Sequence, residues 1–98
     1  MKLVMAVVPE GQASEIAERL NDRGFIVTRL SGSAGFFRRG GTTLFTSVED
    51  EEAVLATKII KDFVEYEKIR ALAEEEEEEY QRANAVIYIL PIEEHFRV

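Results

Sequence analysis

The sequence contains no cysteine among its 98 residues and only one histidine, His95. Without cysteine there is no disulfide framework, no thiolate metal ligand and no cysteine nucleophile. His95 follows Glu93 and Glu94, but two carboxylates and one imidazole in this order lack the spacing of a known metal site. We therefore expect neither a metal nor a cofactor, and a surface or interface position for His95.

Signatures of catalysis and of membrane insertion are also scarce. No Ser, His and Asp set has the spacing of a known motif, and no Walker lysine follows the glycines. The apolar run from Leu3 to Val8 is too short to span a bilayer and lacks a signal-peptide layout. These observations predict a cytoplasmic protein that is not an enzyme and does not insert into membranes.

The chain has fewer basic than acidic side chains, and the basic ones are not matched by acidic ones equally along the sequence. The chain has a net charge of −7, with 12 Lys and Arg against 19 Asp and Glu. Residues 1–48 hold six basic and four acidic side chains, whereas residues 49–98 hold six and fifteen. Because a negative surface repels the phosphate backbone, we do not expect a nucleic acid polymer as partner. The first half of the chain is nevertheless suited to a small anion.

The stretch from Thr28 to Thr43 carries the strongest chemical signal. It contains four of the six glycines, three arginines and the adjacent Phe36 and Phe37. Glycines let backbone N–H groups turn toward a phosphate, arginines donate paired hydrogen bonds, and an aromatic ring stacks on a base. This composition predicts a nucleotide ligand, with Phe36 as the stacking ring and Phe37 as either a ligand contact or a core residue. The alternative is a plain hairpin connection.

The hydrophobic pattern predicts secondary structure in the order β, α, β, β, α, β. The predicted strands are Leu3 to Val8, Phe25 to Leu30, Thr42 to Val48 and Ala85 to Leu90, and the predicted helices are Gln12 to Arg23, with Gly24 as its stop, and a segment that begins near Asp50. Val64 to Ala73 either continues the second helix or forms a short strand. The order is that of an α+β ferredoxin-like sandwich, in one domain over residues 1–98.

Several of the predicted strands are apolar on both sides. In a ferredoxin-like sandwich the helices cover only one face of the antiparallel sheet. The other face therefore needs a different cover, and a symmetric homo-oligomer is the usual way to supply one.

Several short motifs match a known family in register. They are Met1-Lys2-Leu3, the helix Ser14 to Leu20, Phe25, Thr28-x-Leu30, Gly35-Phe36-x-Arg38-x-Gly40-x-Thr42-Thr43, Val48, Ala85-Val86-x-Tyr88-x-x-Pro91 and His95-Phe96. In this combination the chain resembles the PII-like cyclic-di-AMP receptors, small trimeric signalling proteins related to the nitrogen-regulatory protein PII. The matching segments cover about two thirds of the chain.

The resemblance implies a PII-like homotrimer that binds one nucleotide in each cleft between subunits and signals to an unknown downstream protein, without catalysis. It implies that Thr28 forms a hydrogen bond with a ligand hydroxyl, phosphate or base edge. It also implies that Thr42 lines the floor of the ligand cleft and that the backbone of Ser47 contacts the ligand. The segment Gly35-Phe36-Phe37 would supply backbone donors and an adenine-stacking ring. Arg97 stands where a neighbouring subunit's side chain reaches the ligand.

Three positions depart from the family pattern near the expected ligand. Gly41 replaces a contacting asparagine, Ile26 replaces a basic residue, and Ala34 replaces a glycine. The segment Phe63 to Asn84 is shorter and more acidic than the family's mobile loops. Its glutamate run, Glu74 to Glu79, is expected to be a solvated helix or loop outside the nucleotide site.

Two functions of other classes remain open at this point. One is a ferredoxin-like RNA-binding module, because the RNA-recognition motif shares this topology. The other is a PII-like structural trimer that binds another adenine nucleotide or none.

Overall fold

Four strands and two helices follow one another in the order βαββαβ in the computed structural model, which describes residues 1–31, 41–78 and 84–98. The elements are β1 (Lys2–Pro9), α1 (Glu10–Asp22), β2 (Thr28–Ser31), β3 (Gly41–Val48), α2 (Ala53–Ala73) and β4 (Val86–Pro91), with a 3₁₀ turn at Asp50–Glu52 before α2. The sheet order is β2-β3-β1-β4, and the three pairings are antiparallel. The predicted ferredoxin-like α+β fold is confirmed.

The core lies between the helices and one face of the sheet. Along β1, Val4, Ala6 and Val8 are each 1% exposed, because alternate residues of a strand point to the same face. Both helices place apolar side chains against them, including Ile16 of α1 and Ile60 of α2. This packing fixes which face of the sheet remains open.

Helix α1 ends in a Schellman motif at Gly24, the predicted stop. Gly24 has φ of +88° and its N–H donates to the carbonyl of Asn21 at 2.9 Å, while the Phe25 N–H donates to the carbonyl of Leu20 at 3.1 Å. Since the Phe25 amide closes the helix, it is not available to the sheet. The second strand accordingly begins at Thr28, three residues later than predicted.

Helix α2 ends in the same motif, but with a non-glycine residue in the left-handed conformation. Glu75 has φ of +58°, its N–H donates to the carbonyl of Leu72 at 3.2 Å, and the Glu76 N–H donates to the carbonyl of Ala71 at 2.8 Å. The helix therefore continues through Val64 to Ala73, the first of the two predicted alternatives.

Arg70 holds the end of α2 together through three carboxylates. Its guanidinium lies 2.9 Å from Glu67, 3.0 Å from Glu74 and 3.2 Å from Glu76. The hydrogen bonds that Arg70 donates to these carboxylates, above all the one to Glu67, raise the pKa of Arg70. Part of the glutamate run is thus folded back on the helix that precedes it.

Candidate functional site

The face of the sheet away from the helices carries mostly apolar side chains. Strand register places the following side chains on it: Leu3, Met5, Val7, Leu30, Phe45, Val86, Tyr88 and Leu90. On the two edge strands, Leu30 is 55% exposed, Val86 49%, Tyr88 46% and Leu90 44%. A contiguous apolar patch of this kind is unusual on a free surface and marks an interaction site. The prediction that several strands are apolar on both sides is confirmed.

A cleft of about 450 Å³ lies at one end of this open face. Its lining residues are Met1, Leu3, Ile26, Thr28, Phe45, Thr46, Ser47, His95 and Arg97. Three predicted site residues, Thr28, Ser47 and Arg97, therefore lie together although the sequence separates them widely.

Strand pairing and the C-terminal tail bring these three residues together. Thr28 begins β2 and lies opposite Phe45 on β3, and Ser47 follows two residues along β3, opposite Leu3 of β1. Residues two apart on a strand share a face, so Phe45 and Ser47 both point to the open side. After β4, the Ile92 N–H donates to the carbonyl of Met1 at 3.0 Å, which holds the tail beside the start of β1.

The ionisable side chains that line the cleft are both basic. They are His95 and Arg97, and among the described residues no Asp or Glu side chain lines it, although the whole chain has a charge of −7. Arg97 forms no ion pair within the part of the chain that the structure describes. The cleft therefore offers a favourable place for an anion on an acidic protein.

The α-ammonium group of Met1, by contrast, is already engaged. It lies 2.7 Å from Asp50 Oδ1 at the start of the turn before α2. The hydrogen bond from this ammonium group, followed by its charge, lowers the pKa of the Asp50 carboxyl. Among the described residues that line the cleft, Arg97 is therefore the cationic side chain without an ion-pair partner.

A second cavity, between α2 and β4, has a different character. It measures about 430 Å³, and its lining residues are Val54, Thr57, Lys58, Lys61, Asp62, Glu65 and Ile89. Two carboxylates balance its two ammonium groups, and Lys58 is already paired with Asp62 at 2.8 Å. It is less suited to an anion than the cleft on the open face.

Thr42 and Gly41, two further predicted site residues, lie at the other end of β3. Thr42 is 0% exposed and lies opposite Val8, so its side chain faces the helices, and its hydroxyl has no hydrogen-bond partner among the residues that the structure describes. Ser47 lies five positions further along the strand, an odd offset that puts the two side chains on opposite faces. Gly41 pairs with Pro9.

The remaining predicted residues, Gly35, Phe36 and Phe37, lie outside the described residues, as does Ala34. Gly41 and Thr42 follow directly after that part of the chain. The roles of Gly35, Phe36, Phe37, Gly41 and Thr42 in ligand binding stay predictions.

Sequence reasoning missed five members of the cleft: Leu3, Phe45, Thr46, Met1 and His95. The first two depend on which residues pair across strands, which is not evident from the sequence. His95 was expected at a surface or an interface. Its spacing of two residues from Arg97 is the signal that links them, because alternate residues of an extended chain share a side.

Neither a metal cluster nor a membrane-spanning helix occurs in residues 1–31, 41–78 and 84–98. No three His, Cys, Asp or Glu side chains there come together in a way that could hold a metal ion. Within the same ranges, the helices are too short or too polar to cross a bilayer.

Comparison with known proteins defines the class of this chain as a nucleotide receptor. The family model described as cyclic-di-AMP receptor matches residues 1–98. The chain belongs to the cyclic-di-AMP receptor family, and the resemblance inferred from its motifs is confirmed.

Two solved structures share the fold. One is a functionally unknown protein from Pediococcus pentosaceus ATCC 25745, with 21% identity and a TM-score of 0.69 over 99% of this chain and 96% of that chain. The other is a DUF3240 family protein from Shewanella baltica OS155, with 12% identity and a TM-score of 0.56 over 99% and 94% of the two chains. At these identities the similarity concerns the fold alone.

Proposed function

We propose that this protein is a non-enzymatic, PII-like signalling protein of the cytoplasm that binds cyclic-di-AMP as a homotrimer. Each ligand would lie in a cleft between two subunits, and its occupancy would be passed to a downstream protein. The observation that carries the proposal is the assembly of Thr28, Ser47 and Arg97 around one cleft that no described carboxylate lines, in a chain of the cyclic-di-AMP receptor family.

The cleft supplies the groups that an adenine dinucleotide needs. The Arg97 guanidinium is suited to a charge-assisted pair of hydrogen bonds to a phosphate. The hydroxyls of Thr28 and Ser47 can donate to phosphate or ribose oxygens, and Ile26 and Phe45 provide apolar surface for a base. A volume of about 450 Å³ lies within the usual range for small-molecule sites.

The open face of the sheet supports the trimer. Leu30, Val86, Tyr88 and Leu90 would be buried if three copies packed these faces around a common axis. Because Leu3 and Phe45 belong both to this face and to the cleft, a neighbouring subunit would also form the second wall of the ligand site. Ligand binding and assembly are thus expected to be coupled.

Calorimetry with cyclic-di-AMP, ATP, AMP and cyclic-di-GMP, combined with light scattering after gel filtration, tests this proposal. We expect a mass three times the 11.1 kDa of one chain and saturable binding of one cyclic-di-AMP per subunit. A monomeric mass at micromolar concentration contradicts the trimer and its cleft. Binding of ATP or AMP in preference to cyclic-di-AMP, or strongly salt-dependent binding of RNA alone, contradicts the choice of ligand.

A further inference from the structure

The outer side of the last turns of α2 carries three large apolar side chains that are mostly exposed. Tyr66 is 59% exposed, Ile69 68% and Leu72 63%. They succeed one another at intervals of three residues, so they lie along one row of the helix surface. We call these three side chains the α2 ridge. Single exposed apolar residues are ordinary, but a row of three adjacent ones is a feature of docking surfaces.

The surroundings of the α2 ridge are strongly acidic. From Asp62 to Glu78 the chain carries eight Asp and Glu against two basic residues, Lys68 and Arg70. Arg70 is already held by Glu67, Glu74 and Glu76. The segment that carries the ridge thus has an excess of carboxylates, although Asp62 is paired with Lys58. An apolar row on an acidic segment is complementary to a surface that is apolar in the middle and basic at its edges.

The ridge is also held in place before any partner arrives. The Tyr66 ring contacts the buried Phe63 ring, with centroids 6.4 Å apart, and the Schellman motif and Arg70 fix the helix end. A surface that needs no ordering loses less entropy on binding.

We propose that the α2 ridge docks a basic amphipathic helix of another protein, whose apolar side chains pack on Ile69 and whose Lys and Arg meet carboxylates of the segment from Asp62 to Glu78. A helix suits the surface because rows at three-residue spacing pack into the grooves of a second helix. A second copy of this chain is disfavoured because it brings the same negative charge. This inference concerns an output surface and does not depend on the identity of the nucleotide.

Fluorescence anisotropy with a labelled synthetic peptide tests the inference on the full chain. The probe is a peptide of Leu and Lys with helical periodicity, and its control has the same composition in scrambled order. We expect the full chain to bind the amphipathic peptide about tenfold more tightly than the scrambled one, because only the former presents one apolar face. Ile69→Gln should weaken binding about tenfold.

Val54→Gln is the matched control, since Val54 is 75% exposed at the other end of α2. It should leave peptide binding unchanged, and circular dichroism should show both variants as helical as the original chain. Equal binding of the two peptides, or equal loss in the two variants, would overturn the proposal. So would concentration-dependent association of trimers that Ile69→Gln abolishes, because it would show that the ridge meets a second copy instead.

Discussion

Alternate residues of β1 have the same aliphatic character but different surroundings. Those beneath the helices are Val4, Ala6 and Val8, and those on the open face are Leu3, Met5 and Val7. The first set is buried within one chain, whereas the second set is only partly covered. Apolar residues on both sides of a strand therefore predict that both faces are covered, but they do not reveal whether the same chain or another one covers them.

The strongest test of this difference places a charge on the open face. Tyr88→Glu should convert the proposed trimer to monomers of 11.1 kDa while the circular dichroism spectrum remains, because an unpaired charge buried in an interface costs about 3 to 5 kcal/mol. The matched control is Tyr66→Glu on α2, whose side chain is 59% exposed and away from the sheet. A Tyr88→Glu protein that keeps its trimeric mass would show that the open face is not the subunit interface.

Two leucines on neighbouring strands permit a direct comparison of the faces. Leu44 of β3 is 2% exposed beneath the helices, and Leu30 of β2 is 55% exposed on the open face. Leu44→Ala should lower the free energy of unfolding by about 3 kcal/mol at every protein concentration. Leu30→Ala should lower it by less, and only at concentrations where the trimer forms. Urea denaturation at two protein concentrations measures both changes in the free energy of unfolding. Equal losses that do not depend on protein concentration would contradict the assignment of Leu30 to a subunit interface.

Arg97 tests whether the cleft on the open face is the ligand site. Arg97→Gln removes the charge-assisted hydrogen bonds expected with a phosphate, worth about 1.5 to 3 kcal/mol, so the affinity for cyclic-di-AMP should fall roughly tenfold to a hundredfold. Arg23→Gln, an exposed arginine after α1, is the charge-matched control. Calorimetry measures the affinity of both variants for cyclic-di-AMP, and equal affinities would exclude Arg97 from the site.

The smallest effect is expected where Met1 meets Asp50, within one chain. The ammonium group lowers the pKa of this exposed carboxyl, so the pair stabilises the folded chain above about pH 4 and the contribution is lost as the pH falls through the lowered pKa. In protein with a free Met1 amino group, Asp50→Asn should slightly reduce the fall in the free energy of unfolding below about pH 4. It should not change the mass of the assembly. If the free energy of unfolding falls equally with pH in the variant and in the original chain, the pair has no measurable effect.

The order of the elements was predictable because each carries its own local signal. Gly24 marked the end of α1, and the two apolar sides of the strands were visible directly. The end of α2 was ambiguous because Glu75, not a glycine, takes the left-handed position. The late start of β2 depends on a hydrogen bond from Phe25 that no residue type signals.

The candidate site was only partly predictable. Thr28, Ser47 and Arg97 were named from the family resemblance, and the structure brings them to one cleft. Their neighbours Leu3 and Phe45 could not be named, because strand register determines which residues meet. Thr42 faces the helices instead, since strand alternation decides its side.

The left-handed backbone at Glu75 has a consequence for local unfolding. A side chain in this conformation costs about 1 to 2 kcal/mol that glycine avoids, so the last turn of α2 should open more often than the last turn of α1. In amide hydrogen exchange, Glu76 should then lose its protection before Phe25, although both donate in the same motif. Added salt should widen the gap, because it screens the partly exposed ion pairs of Arg70. The boundary between slow and fast exchange thus falls beside the α2 ridge.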